Sequence, residues 1–244
     1  MTYTSGFSIY IPARLASTRF PNKPLALING EPMLSHVVRT ALSARARRVV
    51  VVTDHLDIDV LMRSAFPGIY THIDIGLFRS GGDACAHAAR ELKEPEEGFI
   101  VVLQGDMPLA DIEDVQNVVT PWFKDKTHRV MSLVSDIPAN VRDAVLANPN
   151  RVKCELDEEG KAKRFFRTRD IGPTATSLLH HGIYGYPTAL LMQMLHYPST
   201  AEEKTTTLEQ YRVLGAGYQI HCAMSEYSRG LSVDVPEDLE TIGA

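Results

Sequence analysis

The sequence predicts an α/β fold: a mostly parallel sheet with helices on both faces and an antiparallel elaboration in the second half. Three observations predict it. Short apolar runs at 7–11, 48–53 and 99–103 are continuous rather than alternating, as strands buried on both faces require. Segments with helical apolar spacing separate them. After about residue 125, strand-like segments follow one another across turn residues instead of helices.

The elements follow in order. Residues 7–11 read as a buried strand, and Leu34, Val37, Val38, Ala41 and Leu42 repeat at helical spacing. The β-branched run 48–53 is the second strand. Asp54 suits an N-cap for a helix over 56–66. A weaker strand at 69–73, a helix at 83–92 and the very apolar strand 99–103 come next. Ile112, Val115, Val118 and Val119 form another helical stripe. Strands are expected at 129–134 and 151–156, with a turn at 157–160 and a hairpin partner at 162–166. A further strand at 182–186 precedes helices at 207–214 and 235–242. No Gly-, Pro- or Ser-rich linker divides the chain, so 1–244 reads as one domain, with 126–190 as its antiparallel elaboration.

Composition narrows the function. The 244 residues carry 25 Lys plus Arg against 30 Asp plus Glu, a net charge of -5, which argues against a nucleic-acid surface or an anionic membrane surface. Cys85, Cys154 and Cys222 are far apart, and they form neither a CxxC pair nor a zinc set. The apolar run near the N-terminus is too short for a signal-peptide core, and no run approaches the ~20 residues that span a bilayer. A cytoplasmic protein is the expectation.

Three segments can carry chemistry. The loop 12–25 follows the first strand and holds Arg14, Arg19 and Lys23 among hydroxyls and prolines. In open α/β sheets ligands bind beyond the carboxyl ends of strands, where such cations neutralise phosphates. The loop matches neither GxxxxGK[ST] nor GxGxxG, and a merely solvated basic loop would have the same composition. Asp106 follows Gln104-Gly105 at the end of the most apolar strand, a suitable place for a Mg²⁺ carboxylate, although an aspartate there is more often a turn or cap residue. Asp234 is expected to close a short strand before a helix starting near Pro236, as a cap or as a second metal carboxylate.

In order along the chain stand PARLASTRFPNKPL (12–25), LQGDMP (103–108), HHGIYGY (180–186), LEQYRVL (208–214) and VDVPEDLE (233–240). Together with INGEPMLSHV (28–37) and VVVVTDHLDI (49–58), this set resembles the 3-deoxy-D-manno-octulosonate (Kdo) cytidylyltransferases, or CMP-Kdo synthetases, over about 8–240. The resemblance implies a Rossmann-like nucleotidyltransferase fold and a Mg²⁺-dependent transfer of CMP from CTP to an acidic ulosonic sugar, with release of pyrophosphate. Such chemistry rests on positioning and charge neutralisation.

By position, Arg14 and Lys23 are implied to hold the triphosphate with help from Arg19. Pro12, Ala13, Ser80, Gly81 and Gln104 are implied to line the nucleotide site. Asp106 and Asp234 are the implied Mg²⁺ ligands. Arg167, His180, Tyr184, Glu209 and Gln210 match positions that face the sugar. A homodimer built on the antiparallel segment is also implied. Taken singly, a histidine like His180 is more often structural and a tyrosine like Tyr184 more often core, and Glu209 with Arg212 reads as a plain helix pair.

The sequence departs from the family pattern at three places. Ala84 stands where an arginine follows the Ser-Gly run, Met107 replaces a polar residue beside Asp106, and Phe166 replaces a small hydroxyl. Arg79 lies on the other side of the glycines from Ala84. Arg164, Arg167 and Arg169 make the strand around Phe166 basic. The acceptor is expected to be Kdo or a related ulosonic acid, and these departures predict that Kdo is a poorer substrate than a modified or different acid, such as 8-amino-Kdo, a sialic-type acid or a phosphonate. They also leave open a non-catalytic nucleotide-binding chain.

Overall fold

The computed structural model describes residues 6–15, 19–76, 78–125, 129–167 and 172–242. Arg169 and part of the first loop (16–18) lie outside them.

Chain order gives β1 (Phe7–Ala13), the short ribbon β2 (Leu27–Ile28) and β3 (Glu31–Pro32), α1 (Met33–Ser43), β4 (Arg48–Thr53), α2 (Leu56–Ala65) and β5 (Tyr70–Ile73). Then come α3 (Gly81–Glu91), β6 (Phe99–Leu103), α4 (Ile112–Asp125), β7 (Val130–Ser135), α5 (Arg142–Ala147), β8 (Lys153–Leu156) and β9 (Ala162–Phe166). The chain continues through β10 (Leu178–Pro187), α6 (Thr188–Gln193), α7 (Ala201–Thr206), α8 (Gln210–Gly215), β11 (Ile220–Met224) and α9 (Asp238–Thr241).

The main sheet runs β11-β7-β10-β6-β1-β4-β5, with the β8–β9 hairpin attached to β10. β1 pairs in parallel with β4 and β6, β4 with β5, and β11 with β7. Only β10 reverses direction within this path, pairing antiparallel to β6 and β7. The predicted fold class therefore holds, and its antiparallel part lies where the turn-rich segment placed it.

β1 and β6 are buried at every position because helices cover both faces. On one face Leu34, Val37 and Val38 of α1, Ile58 and Met62 of α2, and Val115, Val118 and Trp122 of α4 pack on Ile9, Ile11 and Val101. On the other, Ala84, Ala88 and Ala89 of α3 and Leu190 and Leu191 of α6 pack on Tyr10, Val50 and Val102. The alanine run in α3 lets that helix lie close to the sheet. Among the described residues, no helix is long and apolar enough to cross a membrane.

Four expectations need correction. The N-cap of α2 is His55, whose ring accepts the Asp57 N–H; the Asp54 carboxylate instead accepts the Leu15 N–H at 3.1 Å and ties the first loop to β4. The helix expected from 207 starts at Gln210, because Thr207 takes a left-handed conformation (φ 59°) that ends α7. Asp234 closes no strand: residues 231–234 join no ladder, and their link to the sheet end is the Val233 N–H to the Asp106 carbonyl at 2.9 Å. The last helix is only Asp238–Thr241, since Pro236 sits in the turn before it.

Candidate active site

β1 and β6 are parallel neighbours, so both release their loops at the same end of the sheet. β4 continues the sheet beyond β1 and β10 continues it beyond β6, which makes this junction a place where a crevice opens. The two loops touch. A Cβ on Gly105 would stand 2.8 Å from the Pro12 carbonyl oxygen, and one on Gly81 would stand 3.0 Å from the Pro12 ring. At 105 only glycine permits that approach without a shift, and at 81 a side chain would press on the Pro12 ring.

Two adjoining clefts result. One, of about 300 Å³, is lined by Pro12, Ala13, Arg14, Arg19, Lys23, Gly81, Gln104, Gly105 and Asp106. The other, of about 420 Å³, is lined among others by Arg79, Ser80, Asp106, Arg167, His180, Tyr184, Glu209, Gln210 and Asp234. Arg19, Gly81, Gln104 and Asp106 line both. Every residue singled out in the sequence as a site residue lies on one or both clefts.

The carboxylates sit at their meeting point with cations already on them. Lys23 Nζ donates to Asp106 Oδ2 at 2.5 Å and to the Val233 carbonyl at 2.9 Å. Arg19 Nη2 donates to Asp234 Oδ1 at 2.9 Å, while its Nη1 donates to Asn150. Arg14 sends Nη1 to the Phe78 carbonyl at 3.4 Å, with its guanidinium over the Phe78 ring.

Sequence reasoning missed what holds Asp234. Asp238 Oδ2 accepts the N–H groups of Asp234 and Val235 at 2.7 and 3.0 Å, and Asp238 Oδ1 accepts from Arg151 Nη2 at 2.8 Å. Arg151 also reaches the Ser232 carbonyl at 2.5 Å. The available signal was an aspartate at the start of a helix, four residues beyond Asp234; Arg151 lies far away in sequence.

The second cleft has a rigid wall. Ser132 has one hydroxyl proton, which goes to the Ile183 carbonyl at 3.0 Å, so its oxygen accepts from His180 Nε2 at 2.9 Å. The His180 ring lies between Phe165 and Tyr184. Gln210 Nε2 donates to the Tyr184 hydroxyl, and Gln210 Oε1 is buried with no hydrogen-bond partner among the described residues. Glu209 accepts the Gly82 N–H at 3.2 Å; burial raises its carboxyl above the usual range, while the Ser80 hydroxyl opposes that rise. Glu209 and Arg212 are not a simple helix pair, because Arg212 is committed to Glu203 and Asp83.

The departures from the pattern look different in three dimensions. Phe166 is fully buried and lines neither cleft, so it does not replace a hydroxyl facing an acceptor. Arg164 is held by Glu155 at 2.7 Å and sits over the Phe166 ring. Arg79 lines the second cleft but is tied to Asp83 at 2.8 Å and to the Tyr197 carbonyl at 2.9 Å. Met107 is buried and joins the core under α1 and α4, and it also lines the second cleft. Phe166 therefore gives no support to an altered acceptor, whereas Met107 and Arg167 do line the second cleft.

Burial, and next His181, lower the His180 pKa to about 3; burial, and next Arg229, lower that of the adjacent His181 to about 4. Both rings are neutral in the folded protein near pH 7. An unfolded histidine titrates near 6.5, so between there and the folded values the unfolded state binds more protons. Stability contributed by these two groups is therefore whole above about pH 6.5 and is lost as pH falls toward 4. Each contributes a slope of about 1.4 kcal/mol per pH unit in that window. Urea titrations at pH 7, 6 and 5 should show the loss, and His181→Gln should flatten it.

Comparison with known proteins agrees with this geometry. The profile of the family described as "Cytidylyltransferase" matches residues 9–220. A 3-deoxy-manno-octulosonate cytidylyltransferase of Alteromonas mediterranea is 33% identical, covering 97% of this chain and 98% of its own. The solved structure of a CMP:2-keto-3-deoxy-manno-octonic acid synthetase complexed with CTP superposes with a TM-score of 0.85 at 30% identity, covering 98% of this chain and 97% of that one. A 4-diphosphocytidyl-2C-methyl-D-erythritol synthase shares the fold, with a TM-score of 0.66 at 14% identity over 99% of this chain and 98% of that one. The chain is a nucleotidyltransferase and belongs to the cytidylyltransferases, in the family of the CMP-Kdo synthetases.

Proposed function

We propose that this enzyme transfers CMP from CTP to Kdo, with release of pyrophosphate. The observation that carries the reading is the pair of clefts sharing Gly81, Gln104 and Asp106. One is walled by the cations of the first loop, and the other by hydroxyl, amide and carboxyl groups together with Arg79, Arg151 and Arg167. A triphosphate suits the first, and a polyhydroxy acid suits the second. The names of the relatives supply the identities of both, CTP and the eight-carbon sugar acid.

The residues divide the work by chemistry. Arg14 and Lys23 neutralise the triphosphate, and Arg19 reaches it from the exposed side of the loop. Pro12, Ala13, Ser80, Gly81 and Gln104 line the nucleotide's path, with Gly81 allowing close backbone approach. Arg167 faces the acceptor cleft, where its positive charge suits a carboxylate. The buried Gln210 Oε1 needs a donor, which a sugar hydroxyl provides. His180, Tyr184 and Glu209 fix the shape of that wall. The sugar's anomeric hydroxyl then attacks the α-phosphorus, forming the new O–P bond as the α–β bridge breaks.

The family implies Mg²⁺, and the donor set fits it. Two hard carboxylates line one cleft, each already holds a cation, and their loops are hydrogen-bonded together. Asp106 and Asp234 would hold the ion, which when bound supplies charge neutralisation at the transferring phosphoryl group. The reading also includes a homodimer built on the antiparallel segment, so light scattering should give twice 27.1 kDa.

Nucleotide choice gives a direct test. CTP at a hundredfold excess over Kd should stabilise the fold by about 2.7 kcal/mol, a melting shift of roughly 5–10 °C. UTP, ATP and GTP should shift it far less. Equal shifts with all four would remove cytidine from the proposal. The tight loop contact gives a second test: Gly105→Ala should lower turnover roughly 100-fold by pushing the Asp106 loop from Pro12. Unchanged steady-state kinetics would show that the contact is unnecessary.

A further inference from the structure

Away from both clefts, three potential metal ligands converge. His72 lies on the edge strand β5, Asp74 just beyond it, and His87 on α3. One ligand atom from each lies within 4.8 Å of the other two. Asp74 Oδ2 is 2.7 Å from His87 Nδ1 and 3.7 Å from His72 Nε2. A tetrahedral ion with bonds of about 2.0–2.2 Å separates neighbouring ligand atoms by about 3.4 Å. The longer contact is already near that figure, and the shorter, hydrogen-bonded one needs to open by less than about 1 Å. We propose that His72, Asp74 and His87 form a second metal site, selective for a Zn²⁺-class ion, which staples β5 to α3.

The chemistry of the set favours that class. Two imidazoles and one carboxylate suit zinc and its neighbours, whereas Mg²⁺ prefers a shell of oxygens. The ligands are also oriented from outside the cluster. The Asp74 N–H donates to the Thr53 carbonyl of β4 at 2.7 Å, and Asp74 Oδ1 accepts the Gly76 N–H at 3.0 Å, leaving Oδ2 toward the histidines. His72 is held in register opposite Val52, and the His87 ring packs against Phe78 at 5.3 Å. The side chains are 20%, 8% and 30% exposed for His72, Asp74 and His87, so an ion can enter and keep a water as its fourth ligand. A hydrogen-bonded His87–Asp74 pair alone would not require His72 to face the same oxygen.

The site bears on the active centre through Phe78, whose carbonyl and ring both engage Arg14. An ion there braces the connection that presents Phe78 and the Ser80 cap of α3 to the nucleotide cleft.

Calorimetric titration with ZnCl₂ alone and with MgCl₂ alone tests the proposal on the wild type, His72→Gln, His87→Gln and Asp106→Asn. The expected result is one Zn²⁺ per chain in the wild type and in Asp106→Asn. Each histidine variant should lose at least about tenfold in affinity, and Mg²⁺ should not occupy the site. Neither histidine is fully buried, and circular dichroism checks that each variant folds. The ring NMR signals of His72 and His87 in the wild type give a readout that needs no variant, because Zn²⁺ must move both. No Zn²⁺ uptake by the wild type, unmoved ring signals, or undiminished binding in both histidine variants would overturn it.

Discussion

Asp106→Asn and Asp234→Asn are each expected to lower kcat by about a thousandfold or more while leaving melting within a few degrees of wild type. The two parts of this expectation have separate grounds. Both carboxylates lie where the clefts meet, and their side chains are 26% and 13% exposed, so the core does not rest on them. Asparagine keeps the shape but removes the charge that Lys23 or Arg19 balances and that a divalent ion needs. Several kcal/mol of transition-state stabilisation goes with it. Steady-state pyrophosphate release at saturating Mg²⁺ checks the expectation. Near-normal turnover by either variant would take that residue out of the metal site.

The largest stability effect is expected at Arg212. Its side chain is 1% exposed and donates to Glu203 at 2.6 Å, to Asp83 and to the Met194 carbonyl. Arg212→Leu strands Glu203 in the interior, while Asp83 keeps Arg79. Breaking a buried pair by removing one partner costs about 3–5 kcal/mol, or roughly 10 °C of melting temperature in a domain of this size. Replacing both partners is less damaging, so Arg212→Leu with Glu203→Leu should recover at least half of the loss. Chemical denaturation measures both. A single-variant loss below about 1 kcal/mol would show that the network contributes little.

Much of this architecture was legible in the sequence for simple reasons. Runs such as Phe99 to Leu103 are apolar because helices cover the strand on both faces, and that needs no tertiary information. The first-loop cations and Asp106 were visible because they follow such strands directly. What was hidden depended on partners distant along the chain. His55 rather than Asp54 caps α2 because the Asp54 carboxylate is drawn to Leu15. Asp238 and Arg151 support Asp234 across 87 residues of separation. Phe166 read as a pocket residue because strand position alone does not reveal which face is covered; it stands opposite Lys153 in the β8–β9 hairpin and is fully buried. His72, Asp74 and His87 have no motif spacing, and only the packing of α3 against the sheet brings them together.

In the proposed function, Asp106 joins a CTP cleft to a Kdo cleft in a working enzyme. Pyrophosphate release measured with CTP, Mg²⁺ and Kdo tests it most directly, with reactions lacking each component as controls. The account predicts turnover that requires all three, together with formation of the CMP-sugar in equal amount. No release with Kdo, or equal release without it, would contradict the account.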